Sequence, residues 1–111
     1  VAVDGVTFLG NDSGIETSFA TMTVRDSAFV GNNSGVLSAS KTTIGSTVFA
    51  HNNLAVKAFD GSTVRVGRSH VFGNEVGFEA TAAATFESYG TNVLGGNTTP
   101  TVGTIGVAVE R

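Results

Sequence analysis

Asn32-Asn33-Ser34-Gly35-Val36 has relatives on both sides of it. Asn11-Asp12-Ser13-Gly14-Ile15 precedes it, and Asn52-Asn53-Leu54-Ala55-Val56 and Asn74-Glu75-Val76-Gly77-Phe78 follow. A worn fifth copy begins at Asn97. Before each copy stands an apolar pair: Phe8-Leu9, Phe29-Val30, Phe49-Ala50, Val71-Phe72 and Val93-Leu94. Successive leading Asn residues are 21, 20, 22 and 23 positions apart. A period of this size marks a solenoid, whose repeats bury their apolar side only by stacking on one another.

Two architectures share that period. Leucine-rich repeats need dense Leu and often a helical segment. Here Leu occurs only at Leu9, Leu37, Leu54 and Leu94, and no window places apolar residues at helical spacing. Val, Thr and Phe are abundant instead, and these suit a pleated, half-buried surface. The pattern predicts an all-β parallel β-helix, a solenoid of about five coils with a period of 20–23 residues. It occupies residues 1–111 as one domain, read as a segment of a longer protein.

Counting back eight positions from the Asn gives an apolar column, Val3, Val24, Ile44 and Val66. Three further on stand Val6, Ser27, Thr47 and Ser69, mostly small, and two beyond those come Phe8, Phe29, Phe49 and Val71. A bend belongs between the first column and the small one. After the Asn turn, Ile15, Val36, Val56 and Phe78 form a second apolar column, followed by small residues at Thr17, Ser38, Ala58 and Ala80. A second turn of variable length then accounts for the wandering period. Coils ~4.8 Å apart bring like side chains over one another, with the Phe column as the spine. The repeated Asn suits a left-handed turn position from which its amide bonds to the coils above and below. Gly10, Gly31 and Gly73 precede it for the same conformational reason, and His51 takes that place in the third coil. The last coil carries one extra residue before Asn97. Alternation from Thr104 to Glu110 predicts that 98–111 forms a closing strand or cap, as a partial coil or a lid.

Composition narrows the function. A net charge of -3, with six dispersed Lys and Arg residues, argues against nucleic acid. The absence of Cys excludes disulfides and thiolate metal sites. No apolar run approaches the ~20 residues of a membrane-spanning helix.

The repeat Val24-Arg25-Asp26-Ser27-Ala28-Phe29-Val30-Gly31-Asn32, running on to Val36, resembles secreted bacterial right-handed parallel β-helix proteins, broadly of the pectin-lyase-like superfamily. The ending Ser88-Tyr89-Gly90-Thr91-Asn92-Val93-Leu94-Gly95-Gly96-Asn97, followed by Pro100 and Thr104-Ile105-Gly106, resembles the last coil of such proteins. The resemblance implies a right-handed coil and an extracellular or cell-surface location. Superfamily members include polysaccharide lyases, hydrolases and epimerases, tailspikes and adhesins.

Enzymes of that kind need convergent carboxylates. Asp4, Asp12, Asp26 and Asp60 fall at different phases of the repeat, so no catalytic, metal or cofactor site is assigned. Arg65, Arg68 and His70 form the one local basic cluster, read as lying on one strand, and Arg68 shares a phase with Asp26, with Ser46 between. This is either a sugar or acidic-ligand surface or a solvated sheet face. Leu9, Val30, Ala50, Phe72 and Leu94 follow the core column. Simple alternation sends them outward as a partner stripe, whereas a bent corner swings them inward. Lys57 and Glu79 are neighbours in an outward column and should form a surface ion pair. An array of Thr for ice binding finds no clean counterpart to Thr21 and Thr23. The expected function is a non-catalytic extracellular structural or binding module whose partners are copies of itself, end to end or laterally, and polysaccharide. A fragment of a polysaccharide lyase or hydrolase is the alternative, and a trimeric phage or viral spike segment the third.

Overall fold

The computed structural model describes residues 1–108. Each coil holds three short strands. The first contains β1 (Ala2–Asp4), β2 (Thr7–Leu9) and β3 (Ser13–Thr17), and the second β4 (Met22–Arg25), β5 (Ala28–Val30) and β6 (Ser34–Ser38). The third contains β7 (Lys41–Gly45), β8 (Val48–Ala50) and β9 (Leu54–Ala58), and the fourth β10 (Thr63–Gly67), β11 (His70–Phe72) and β12 (Val76–Ala80). The fifth contains β13 (Thr85–Tyr89), β14 (Val93–Gly95) and β15 (Thr99–Val102), after which β16 (Gly106–Ala108) opens another. First strands stack into sheet A (β1-β4-β7-β10-β13-β16), second strands into sheet B (β2-β5-β8-β11-β14) and third strands into sheet C (β3-β6-β9-β12-β15). Every pairing is parallel. The molecule is a β-solenoid of about five coils.

The register follows the columns read from the sequence. Val3, Val24, Ile44 and Val66 are successive partners in sheet A. Phe8, Phe29, Phe49, Val71 and Leu94 are successive partners in sheet B. The rings of Phe8 and Phe29 stack 4.6 Å apart at 5°, and those of Phe29 and Phe49 4.9 Å apart at 7°. Near-parallel stacking is imposed by the strand spacing, because one ring per coil leaves no room for an edge-on approach. Ile15, Val36, Val56 and Phe78 line sheet C, and Phe78 meets Phe86 of sheet A across the core at 4.8 Å.

The corner between sheets B and C is three residues long in every coil. Its middle residue is the Asn, and Asn32, Asn52 and Asn74 are buried. Asn52 Oδ1 accepts from the backbone N–H of Asn32 at 2.9 Å and from its Nδ2 at 3.1 Å. Asn52 Nδ2 donates to the Phe29 carbonyl and to Asn74 Oδ1, both at 2.9 Å. Asn11, Asn32, Asn74 and Asn97 extend the same pattern. The buried amides are thus satisfied within the ladder, as burial of polar groups requires.

One detail narrows the expectation, which allowed a left-handed turn at the Asn and at the residue before it. The left-handed residue is the one before the Asn, at φ 65–68° in Gly10, Gly31, Gly73 and Gly96 and at 58° in His51. Glycine bears the conformation and leaves the Asn free for hydrogen bonding. At the end of the chain the structure chooses between the two readings, partial coil and lid. Thr99–Val102 completes the fifth coil and Gly106–Ala108 pairs with β13, so this segment is a partial coil that extends the ladders rather than a lid across them. The last three residues of the predicted closing strand, 109–111, lie outside the described residues.

Candidate functional surfaces

The basic cluster is divided by a corner. Arg65 projects from β10 in sheet A, where its Nε donates to Glu87 Oε1 at 2.7 Å. Arg68 follows β10 in the corner with φ 48°, and its amide donates to Thr91 Oγ1 at 3.0 Å. Its guanidinium lies over the preceding coil: a Cβ built on Gly45 would sit 3.7 Å from Arg68 Nη2. His70 opens β11 and is exposed on sheet B, between Val48 and Val93. The expectation of three residues on one strand is therefore corrected. The left-handed residue at position 68 turns the chain, so Arg65 and His70 face outward from different sheets.

Asp26, Ser46 and Arg68 do share one column, with φ of 50°, 51° and 48°, and Gly5 occupies the same place in the first coil at 69°. A left-handed conformation costs a residue with a Cβ roughly 1–2 kcal/mol. The coil accepts Gly here, yet three of these four corners carry a side chain.

The partner stripe faces outward. Leu9, Val30, Ala50 and Phe72 are register partners, with Leu9 69 % and Phe72 43 % exposed, Val30 half-buried and Ala50 buried. Leu94 is not part of it. Its partner is Val71 of the inward column and it packs against the core, while Gly95 takes the stripe position beside Phe72. Gly95 and Gly96 occupy the two places before Asn97, which moves the apolar pair back by one. A companion outward column went unnoticed in the sequence, formed by the residue before each core Phe: Thr7, Ala28, Val48, His70 and Val93. The same count from the Asn would have found it. Together the two columns make the outside of sheet B apolar, with no Asp, Glu, Lys or Arg on it.

Sheet A presents the opposite character. Thr23 does have a counterpart, Thr43, but the column then passes to Arg65 and Glu87, while Lys41, Thr63 and Thr85 run beside it. On sheet C, Lys57 Nζ lies 3.1 Å from Glu79 Oε2 and 4.8 Å over the Phe59 ring. Partly exposed pairs of this kind contribute well under ~1 kcal/mol. Near it Glu16, Ser18, Leu37 and Phe59 line a shallow groove of about 220 Å³. Among the described residues, no three His, Asp or Glu side chains gather as a metal site.

One carboxylate is tuned by its surroundings. The Thr81 hydroxyl, and then the Ala83 amide, donate to Asp60 and hold its carboxyl below the ordinary value of 3.8. These bonds clip the fourth corner between sheets C and A onto the third, and Asp60 is solvent-exposed. The role is structural. Compared with protein-family models, curated proteins and solved structures, the chain matches none.

Proposed function

We propose that the chain is a non-catalytic structural or binding module that works outside the cell and associates with copies of itself. The observation that carries this reading is the uncovered outer face of sheet B, where Leu9 stands exposed at one end and Phe72 and Val93 toward the other, with no Asp, Glu, Lys or Arg on the strands between them. Sheets A and C carry charged residues on their outer faces, whereas an apolar patch left open is a contact surface. End-to-end association is a second route, because a strand edge left open templates further pairing. The extracellular placement, and kinship with secreted bacterial pectin-lyase-like proteins, rest on the resemblance of the repeat and of the last coil.

Light scattering across a concentration series tests the reading. The mass-average should rise above the monomer as concentration increases, and a constant monomer mass would sink the proposal. Trimers would instead favour a spike segment.

The polar face of sheet A supports polysaccharide as a second partner. Its hydroxyls and the Arg65–Glu87 pair form a polar array able to bond to sugar hydroxyls. Glycan-array binding, followed by an assay for unsaturated sugar products, separates a binder from a lyase fragment.

A further inference from the structure

Two features of sheet B's surroundings answer to each other. The first is the pattern of sizes on its outer face. Residues at mirrored levels of a column differ in size, the larger opposite the smaller: Leu9 in the first coil against Gly95 in the fifth, Phe72 in the fourth against Val30 in the second. The second is the strained corner beside that face. There Asp26 in the second coil and Arg68 in the fourth lie symmetrically about Ser46 in the third.

We propose that this face packs against the same face of a second copy, with the two solenoid axes antiparallel and a twofold axis running along β8. This deepens the self-association reading above and rests on it. The rotation keeps each column opposite itself and reverses the coil order, so β8 meets β8, β5 meets β11 and β2 meets β14. Phe72 of one copy then sits on Val30 of the other, Leu9 covers Gly95, and His70 covers Ala28. In the corner column Ser46 meets Ser46, and Asp26 meets Arg68 twice over. A guanidinium carries five donors, so Arg68 can serve this carboxylate along with its partners within the chain. Strands of the two sheets run in the same direction, the aligned geometry of sheet-on-sheet packing.

The backbone supplies the independent reason to choose this arrangement. Asp26, Ser46 and Arg68 hold left-handed conformations that Gly would adopt without strain, and such strain persists where a side chain is needed. The other face-to-face rotation, about the solenoid axis, would set Arg68 against Glu75 and leave Asp26 facing Asn33. It uses one strained residue where the antiparallel pairing uses all three.

Size sets the strength. Five strands ~4.8 Å apart, with their flanking corners, offer roughly 500 Å² per copy. The total of about 1,000 Å² lies at the lower limit for a specific interface. The dimer should be reversible, dissociating at concentrations on the order of tens of micromolar.

Sedimentation equilibrium on the full chain, with circular dichroism to verify folding, reads the outcome. Asp26→Arg and Arg68→Asp should each weaken dimerisation by about tenfold or more, because each places like charges together twice. The double swap should recover most of the wild-type affinity. Phe72→Lys should leave a folded monomer. Self-association undiminished by the two single swaps overturns this geometry and leaves the broader reading standing. Loss in Arg68→Asp that is rescued by Glu75→Arg rather than by Asp26→Arg overturns it in favour of the parallel arrangement. A wild-type chain that stays monomeric up to about a millimolar overturns both.

Discussion

The corner from sheet B to sheet C and the corner from sheet A to sheet B solve the same problem with opposite economies. Both need a left-handed residue to turn the chain. At the first, four of five coils use Gly, and the next residue is an Asn buried in a continuous amide ladder. At the second, Asp26, Ser46 and Arg68 take the strain with their side chains turned to solvent, and the following column holds only hydroxyls and Asn92 after Val6. One corner is optimised for holding the coils together. The other gives up stability for what it displays, and that contrast is what the proposed dimer uses.

The contrast can be broken at its strongest point. Asn52→Ala would orphan the Asn32 amide and the Phe29 carbonyl and open a cavity, so it should cost about 3–5 kcal/mol in denaturant unfolding. In the other corner Ser27→Ala removes a bond from the Val6 amide and one to the Arg25 carbonyl, at 3.2 and 2.8 Å. A loss of about 1–2 kcal/mol is expected there. Equal losses would erase the distinction between the corners.

Next in size is Gly35→Ala, just past the Asn corner. The new Cβ would overlap the Ala55 carbonyl oxygen and lie 3.1 Å from the Phe49 ring, with backbone on one side that cannot yield. A cost of about 1–3 kcal/mol is expected, read from the unfolding midpoint. Ser46→Gly should act in the opposite direction. It relieves the left-handed strain but adds freedom to the unfolded chain, for a net gain under about 1 kcal/mol. A destabilised Ser46→Gly would mean that the corner carries no strain.

The smallest effect belongs to the third corner, from sheet C to sheet A. Asp60 has its folded carboxyl pKa lowered, chiefly by the Thr81 hydroxyl. Its contribution is therefore fully present above the unfolded value of 3.8 and fades as pH falls through the lower, folded value. Melting temperature followed from pH 5 downward should fall slightly more for the wild type than for Asp60→Asn. Parallel curves would show that the clip is idle.

Much of this was legible because a stacked coil repeats its demands. Phe8, Phe29 and Phe49 had to share a phase, and a period near 21 residues fixed both the register and the inward face. Legibility failed where one residue departed from the period. Val93-Leu94 looked like the apolar pair of the earlier coils, yet Gly95-Gly96 had taken the two places before Asn97, so Leu94 fell inward. The Asn and the residue before it both suit a left-handed position, and the dihedral angles alone show that the preceding residue bears it. The division of Arg65 from His70 could not be seen, because three charged or polar residues in six positions read as one strand until Arg68 is known to turn. Strain at Asp26, Ser46 and Arg68 has no compositional mark at all. It is visible only in the dihedral angles.

The corner from sheet C to sheet A varies between two and four residues from coil to coil, while the B-to-C corner never departs from three. Lengthening is thus permitted at one edge of the triangle and refused at another. Because the ladder partners lie one turn of the chain away and the other contacts lie within a turn, adding or deleting an entire turn at the permissive edge leaves the remaining partnerships unaltered. Molecules of this design can change their reach in steps of ~4.8 Å without relearning how to fold.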